Sequence, residues 1–343
     1  MVLASGLNVA SHSRRARLLH LAVYGYAVAV LAVGVAIQFL VDRVWLATLV
    51  GFGPRWLAAL PLLPLAGWAA WESRRTGSWL LLGALALAGA VLLAGILDFR
   101  LGLGRASGPA DIRLMTWNVG PRGVSAEALD ALLHRNRVDV AVLQECPYFD
   151  LAPLRFGWKF FYGGDLCLVS RFPFTVEDVA DPGSVWKHSG RQPIKFRIES
   201  PVGSFQLLNV HLPTIRAGLD GFAPQTAGSF ESNRTDAWEQ SASARRRVRD
   251  PGVPLIVAGD FNLPVESAIY RASWGDLVNV FSSCGRGFGH TKFTGAFGIR
   301  IDHVLVSASW ECTDADVLSP ADDGDHAPLV VALRGRYAST ESR

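Results

Sequence analysis

Six places in this chain set carboxylate, amide or imidazole side chains at the end of a short apolar run. Asn118 closes one run and Gln144-Glu145 the next. Asn209 and His211 close a third, and Asp260 and Asn262 a fourth. Asp302-His303 opens a fifth, and Asp325-His326 stands just before the last. Taken singly, each is most often a turn residue or a cap. Six such ends gathered on one edge of packed sheets make a reactive site. Imidazoles and carboxylates there transfer protons. An oxygen-rich donor set without thiolates suits a hard divalent cation, Mg²⁺ or Mn²⁺.

The elements that must position these residues are legible from residue 111 onward. Residues 113–119 read as a strand, and 125–135 as a helix with Leu129, Leu132 and Leu133 at helical spacing and Ser125 as N-cap. Residues 138–143 form the next strand, so the domain opens as a βαβ-like unit. Further strands are expected at 166–170, 194–198, 205–210, 255–258, 301–306 and 329–333, and a second helix at 232–248. Many strands with a few interspersed helices predict an α/β sandwich.

Six ordered motifs carry a resemblance. Met115-Thr116-Trp117-Asn118-Val119, Leu143-Gln144-Glu145, Asn209-Val210-His211-Leu212, Gly259-Asp260-Phe261-Asn262, Ile301-Asp302-His303-Val304 and Asp325-His326-Ala327-Pro328 resemble those of the endonuclease/exonuclease/phosphatase (DNase I-like) superfamily. The likeness covers residues 111–333. His211-Leu212-Pro213-Thr214, Gly287-Phe288-Gly289 with Thr291, and Arg300-Ile301-Asp302-His303 are similar to the bacterial subgroup with an N-terminal membrane region. Gly324 departs from the pattern, which commonly has Ser there; the Asp-His pair that follows is intact.

The resemblance implies a four-layer α/β/β/α sandwich and metal-dependent hydrolysis of a phosphate ester. It implies Glu145 as ligand to Mg²⁺ or Mn²⁺, helped by Asn118 and Asp325. His326 is then a general base or a phosphate-contacting imidazole, oriented by Asp302 as a triad Asp orients its His. Asp260 is the competing base or positions the attacking water, Asn262 donates to the phosphate, and His211 serves the leaving group. His303 alternates to the opposite strand face and falls outside the site. Asn209 is a minor candidate. Asp165, Lys187 and His188 read as turn or loop residues, and His290 as a turn residue or a substrate neighbour.

Half of the 343 residues are hydrophobic, and the excess sits at the N-terminus. Residues 21–40 carry Gln38 as their one strongly polar side chain, and residues 79–97 carry no charge. Either stretch is close to the ~20 residues that cross a bilayer as a helix. Residues 56–71 are shorter and hold Pro61 and Pro64. Three spans are expected, or two with an interfacial middle segment. A cleaved signal peptide fits the basic start, but the run is too long and two more apolar segments follow it. The expected division is a membrane region over 1–106, a catalytic domain over 107–335 and a flexible tail over 336–343.

The first hundred residues hold eight Arg, no Lys and three acids, a net of +5, which leaves −2 of the total +3 for the rest. Arg14, Arg15 and Arg17 precede the first span, and Arg74 and Arg75 lie between the second and third. The positive-inside rule makes that side cytoplasmic and the catalytic domain extracytoplasmic. Arg43, Arg55, Arg100 and Arg105 work against the assignment. The near-neutral remainder lacks the overall basic charge of a duplex binder. Arg245, Arg246, Arg247 and Arg249 form a short basic run that reads as a solvated helix end. The four cysteines have no zinc-site spacing. Buried thiols are the simpler reading, and a disulfide requires an oxidising compartment.

Substrate choice falls to the loops 212–232 and 279–298. Phe281, Phe288, Phe293 and Phe297 in the second stack on bases, touch acyl chains or pack in the core. The expected partners are a phosphate-ester substrate (nucleic acid or phospholipid) and membrane lipid, with no obligate protein partner called for. The expected location is the cytoplasmic membrane. A membrane-anchored phosphate-binding protein without catalytic activity is the alternative, and such a protein usually lacks one of the motif residues retained here.

Overall fold

Strand pairing, more than any other feature, decides where the reactive side chains meet. The computed structural model describes residues 2–146, 157–179, 192–216, 219, 224–248, 252–320 and 324–336. Lys187, His188, Arg249, the middle of the loop 212–232 and the tail from 337 lie outside the described residues. The chain divides into two compact units, Met1–Phe99 and Arg100–Arg343.

The first unit is helical: α1 (Val2–Leu40), α2 (Trp45–Phe52), α3 (Leu62–Thr76) and α4 (Leu80–Val91), with a 3₁₀ turn at Arg55–Ala59 and a π turn at Leu92–Ile96. The segment Arg14–Leu40 is 27 residues long, has a mean hydropathy of 2.0 and is long and apolar enough to cross a membrane. The segments Trp45–Phe52 and Arg55–Thr76 meet that standard only together and bend by 86° at their junction, and Leu80–Ile96 is shorter. Leu19, Val23, Ala69, Leu81 and Leu85 hold the helices together from inside, while Leu21, Leu63, Leu80 and Leu87 are exposed. Arg55 donates from Nε to the Gly51 carbonyl (2.7 Å) and from Nη1 to that of Ile96 (3.0 Å). Partners of this kind are what a cation in apolar surroundings needs.

The second unit runs β1 (Arg100–Leu101), β2 (Ile112–Asn118), α5 (Ala126–Arg135), β3 (Val140–Gln144), β4 (Lys159–Gly163), β5 (Leu166–Ser170), β6 (Phe174–Val179), β7 (Ile194–Ser200), β8 (Gly203–His211), α6 (Pro224–Arg246) and β9 (Leu255–Asp260). It continues with α7 (Ala268–Trp274), β10 (Val278–Asn279), α8 (Val280–Cys284), β11 (Arg286–Gly287), β12 (Lys292–Thr294), β13 (Phe297–Ile299), β14 (Asp302–Val306), β15 (Trp310–Val317) and β16 (Leu329–Gly335). Two six-stranded sheets result, ordered β15-β16-β2-β3-β5-β4 and β10-β14-β9-β8-β7-β6.

Leu114, Val140, Val142 and Leu168 of one sheet and Phe196, Leu207, Ile256 and Val304 of the other share one core between the sheets. The alternate residues of β2 and β3, with Cys167 and Val169 of β5, pack against Leu129 and Leu133 of α5 on the outer side. Strands β3, β9 and β14 are buried at every position. A strand buried on both faces needs a layer on each side. Ser125 caps α5 as its sequence predicts, accepting from the Ala128 N–H at 3.1 Å.

The cysteines differ from the buried thiols expected of them. Cys146 pairs with Cys167, and Cys284 with Cys312, at Cα separations of 6.0 and 6.2 Å. Both separations suit a disulfide. The first pairing follows from the β3–β5 register. That register sets Gln144 opposite Leu166 and sends the Cys146 N–H to the Asp165 carbonyl.

Candidate active site

Three strand registers assemble the site. β2 and β3 run parallel with Asn118 beside Gln144, so Glu145 follows at the same edge. β8 and β9 run parallel with His211 beside Asp260, and β14 pairs antiparallel with β9, setting Asp302 beside Asp260. An isolated bridge from Lys292 brings in His326, whose carbonyl accepts from Trp117 Nε1 at 3.2 Å.

Two backbone features make room for the cluster. Gly259 has φ +151°, and a Cβ there would lie 1.9 Å from the Val210 carbonyl oxygen. Only glycine lets β8 and β9 approach so closely one residue before Asp260. Glu145 and Asn262 both adopt positive φ, 52° and 51°. Such a conformation is uncommon outside glycine and recurs at functional sites.

His326 Nδ1 lies 2.9 Å from Asp302 Oδ2, and its Nε2 lies 3.8 Å from Asp260 Oδ2. His211 Nε2 is 3.7 Å from both Asp260 Oδ2 and Glu145 Oε1. Asn118 Nδ2 donates to Asp260 Oδ2 at 3.0 Å and to Glu145 Oε1 at 3.3 Å. The Asn262 N–H donates to Asp260 Oδ1 at 2.8 Å, and its Nδ2 to the Leu212 carbonyl at 2.9 Å. Asn118, His211, Asp260, Asn262, Asp302 and His326 are all buried.

Charge sets the protonation states. Burial works against charge on His326, yet Asp302, by charge and hydrogen bond, and Asp260, by charge, raise it above the ordinary histidine value. Asp302 is pushed up by burial and by the charge of Asp260, against the opposing pull of His326 and Thr291. Burial raises Asp260 too, but His326, His211, Asn118 and the Asn262 N–H together hold it below the usual carboxylate range. The arrangement is an imidazole whose charged form is favoured by the carboxylate that braces it and by a second carboxylate held toward its ionised form.

Two places offer cation ligands. Ligand atoms of Asp260, Asp302 and His326 lie within 4.8 Å of one another. There His326 already compensates the carboxylates, as its hydrogen bond to Asp302 and its upward shift indicate. Glu145 Oε1 and Asp260 Oδ2 instead converge on the single Asn118 amide. The two carboxylates fit a hard divalent cation, and the cysteines, held in disulfides, contribute no thiolate. The Asn118 amide meets the carboxylates with its NH2 group, its oxygen accepting from the Gly120 N–H.

The structure brings Asn118, Glu145, His211, Asp260, Asn262, Asp302 and His326 together. It does not bring in the Asp325 carboxylate, which pairs with Lys292 and is 58% exposed. Asn209 bridges the two sheets, donating to the Leu143 and Cys167 carbonyls and accepting from Gln144. His303 faces away, with Nε2 2.9 Å from the Leu263 carbonyl and its ring against Phe261 and Tyr270. Phe281 is core, whereas Phe288 is 40% exposed and stacks on His290. Arg247 pairs with Asp178 and Arg245 with Asp276, so these two members of the basic run are occupied.

Residue patterns missed several neighbours. Asp165, read as a turn residue, has Oδ2 3.5 Å from His211 Nδ1. The Thr291 hydroxyl accepts from the Asp302 N–H at 3.0 Å. Arg216 donates from Nη2 to Asn262 Oδ1 at 3.2 Å. Local sequence gives Asp165 and Arg216 no site role and marks Thr291 only through the subgroup motif; long-range packing brings all three in. Beside Asn118 a cavity of about 640 Å³ opens, lined by Trp117, Gly120, Arg122, Ser125 and Asp325 among others.

A family model described as the endonuclease/exonuclease/phosphatase family matches residues 115–326, and no curated protein matches the chain. Among solved structures, a 3′ phosphatase from Neisseria bound to a product DNA hairpin is 22% identical, with a TM-score of 0.50, over 64% of this chain and 98% of that one. A 3′-5′ exonuclease from Neisseria meningitidis is 21% identical over 65% and 100% of the two chains, with a TM-score of 0.49. An endonuclease/exonuclease/phosphatase from Beutenbergia cavernae is 19% identical over 66% and 72%, with a TM-score of 0.47. At these identities the likeness is one of fold.

Proposed function

The chain belongs to the endonuclease/exonuclease/phosphatase family, whose members hydrolyse phosphate esters, and from that premise we propose a divalent-cation-dependent phosphodiesterase anchored in the cytoplasmic membrane and acting at its outer face. The observation that carries the catalytic part is the buried constellation of Asp302, His326, Asp260 and His211, with Glu145 and Asn118 at its rim. Its substrate is a phosphodiester of nucleic acid or of a phospholipid headgroup.

Asp302 holds the His326 ring and keeps its Nε2 proton directed at the phosphoryl oxygens. Asp260, ionised under the influence of two imidazoles, orients the attacking water and accepts its proton. Asn262 fixes the Asp260 carboxylate through its backbone N–H, and the Nδ2 proton not spent on the Leu212 carbonyl is left to donate to the phosphate. His211, braced by Asp165, gives a proton to the departing oxygen. Glu145 and Asp260, beside Asn118, would hold Mg²⁺ or Mn²⁺, while Asp325, paired with Lys292, stands outside that set. When bound, the cation neutralises phosphoryl charge.

The unit Met1–Phe99 is the membrane region in this reading, with about three spans, and residues 107–335 are the catalytic domain. Arg14–Leu40 supports the anchor. The two disulfides support an oxidising location, where such bonds persist. The membrane-anchored bacterial subgroup is the part of the family this combination fits.

The test is hydrolysis by the full chain in detergent with Mg²⁺, against a labelled DNA duplex and against sphingomyelin vesicles, each with an EDTA control. EDTA-sensitive cleavage of either, lost in Glu145→Gln and His326→Ala, is the expected result. A folded, cation-binding protein that cleaves no phosphate ester would leave the site as a phosphate-binding one and overturn the reading.

A further inference from the structure

We infer that Arg216 is a substrate-binding residue of this site, its guanidinium gripping the non-bridging oxygens of the reacting phosphoryl group; the inference rests on the phosphoesterase reading above. Arg216 follows the β8 end that carries His211 by five residues and is half-buried. Its own backbone N–H and its Nε both donate to Thr214 Oγ1 at 3.2 Å, and its Nη2 donates to Asn262 Oδ1 at 3.2 Å. Asn262 is in turn fixed to Asp260 and Leu212. Two anchors on different strands' ends therefore hold the guanidinium plane against the Asn262 side of the reactive cluster.

Charge argues for a ligand there. Several arginines of this unit are paired with carboxylates, Arg105 with Asp314, Arg197 with Glu177, Arg234 with Glu231, Arg245 with Asp276, and Arg334 and Arg336 with Glu311, whereas Arg271 and Arg300 donate to neutral oxygens of Glu266 and Asn279. Lys292, the cation on the His326 side, is neutralised by Asp325. Among the described residues Arg216 has no carboxylate partner, and its two anchors are neutral oxygens. Nη1 and the second Nη2 proton stay available for an incoming anion. A guanidinium presents a planar fork that matches two phosphoryl oxygens, and pre-positioning removes the entropic cost of ordering it. Through Asn262 the guanidinium is one residue removed from Asp260, which lies 3.8 Å from His326 Nε2.

A merely structural arginine would prop Asn262 and bind nothing. The two roles separate in one set of measurements on the full chain in detergent with Mg²⁺. Arg216→Gln and Arg216→Lys are compared with wild type for hydrolysis of bis(4-nitrophenyl) phosphate, a monoanion, and 4-nitrophenyl phosphate, a dianion. Inorganic phosphate binding is followed by calorimetry, and folding by thermal denaturation. The expected result is a loss in kcat/KM for Arg216→Gln of roughly tenfold on the diester and roughly a hundredfold on the monoester, the larger of the two at the low end of the range for losing one charge-stabilising donor. Phosphate affinity should fall at least about tenfold, and Lys should restore part of both while Tm stays put. Equal losses on the two substrates with unchanged phosphate affinity would overturn the inference and leave Arg216 a prop for Asn262. So would an active wild type that binds no phosphate. A wild type that binds phosphate through Arg216 but hydrolyses neither ester would sink the phosphoesterase reading and keep this one.

Discussion

Asp302 touches His326 and is buried beside a second carboxylate, a costly place for a negative charge unless an imidazolium shares it. Replacing it with Asn leaves the shape and removes the charge. Asp302→Asn should lower kcat by about 10²–10⁴, with the His326 ring titrating at lower pH by NMR; an unmoved titration would mean that Asp302 does not hold the ring. His303, one residue along, has the opposite environment. Burial, then the charge of Arg300, depress it from 6.5 to about 3. The folded protein therefore keeps this ring neutral while the unfolded chain binds a proton, so stability is full above about pH 6.5 and falls as pH drops toward 3. The loss across that window is on the order of 4 kcal/mol at about 1.4 kcal/mol per pH unit. His303→Gln should flatten the acid limb of a denaturation series, whatever the intrinsic stability of the variant.

Elements carry these residues to one edge only if strands β8 and β9 lie close enough for His211 and Asp260 to face each other. Gly259 permits that approach, with no space for a Cβ against Val210. Gly259→Ala should destabilise by about 3 kcal/mol or more through strain and strand separation. Roughly 10 °C in Tm would be lost, with activity falling beyond what residual folding explains. A variant with wild-type Tm would show that the strands can shift without consequence. The disulfide from Cys146 to Cys167 fastens the residue after Glu145 to β5, next to Asp165. Element packing thus braces two of the carboxylates around His211 covalently.

At the scale of the whole chain, the proposal is a tethered enzyme facing an oxidising space, which the Arg14–Leu40 segment and the disulfide pairs support. In spheroplasts of an expressing bacterium, external protease should digest the catalytic unit without lysis, and non-reducing mass spectrometry should find no free thiols. Protection until lysis, with four free thiols, would place the domain in the cytoplasm and reverse the orientation argued from the arginines.

The sequence alone determined the kind of fold and most of the residues that meet at the candidate site. Strands such as β3, β5 and β9 are apolar runs, and their polar ends stand out because a buried strand tolerates few polar side chains. Asn118, Glu145, His211, Asp260, Asn262, Asp302 and His326 were legible that way, and the outward turn of His303 followed from strand alternation. Short pieces such as β1, β10 and β11, two residues each, carry no periodicity and were missed. The helix 232–248 begins earlier than its pattern suggested, at Pro224, because its first turns lack an apolar stripe. Tertiary structure decided the rest: which cysteines pair, that Asp165 reaches His211, that Lys292 takes the Asp325 carboxylate, and that Arg216 meets Asn262 and, among the described residues, no carboxylate. Each of these depends on strand register and loop closure between residues far apart in the chain, and neighbouring residue types do not encode such distances.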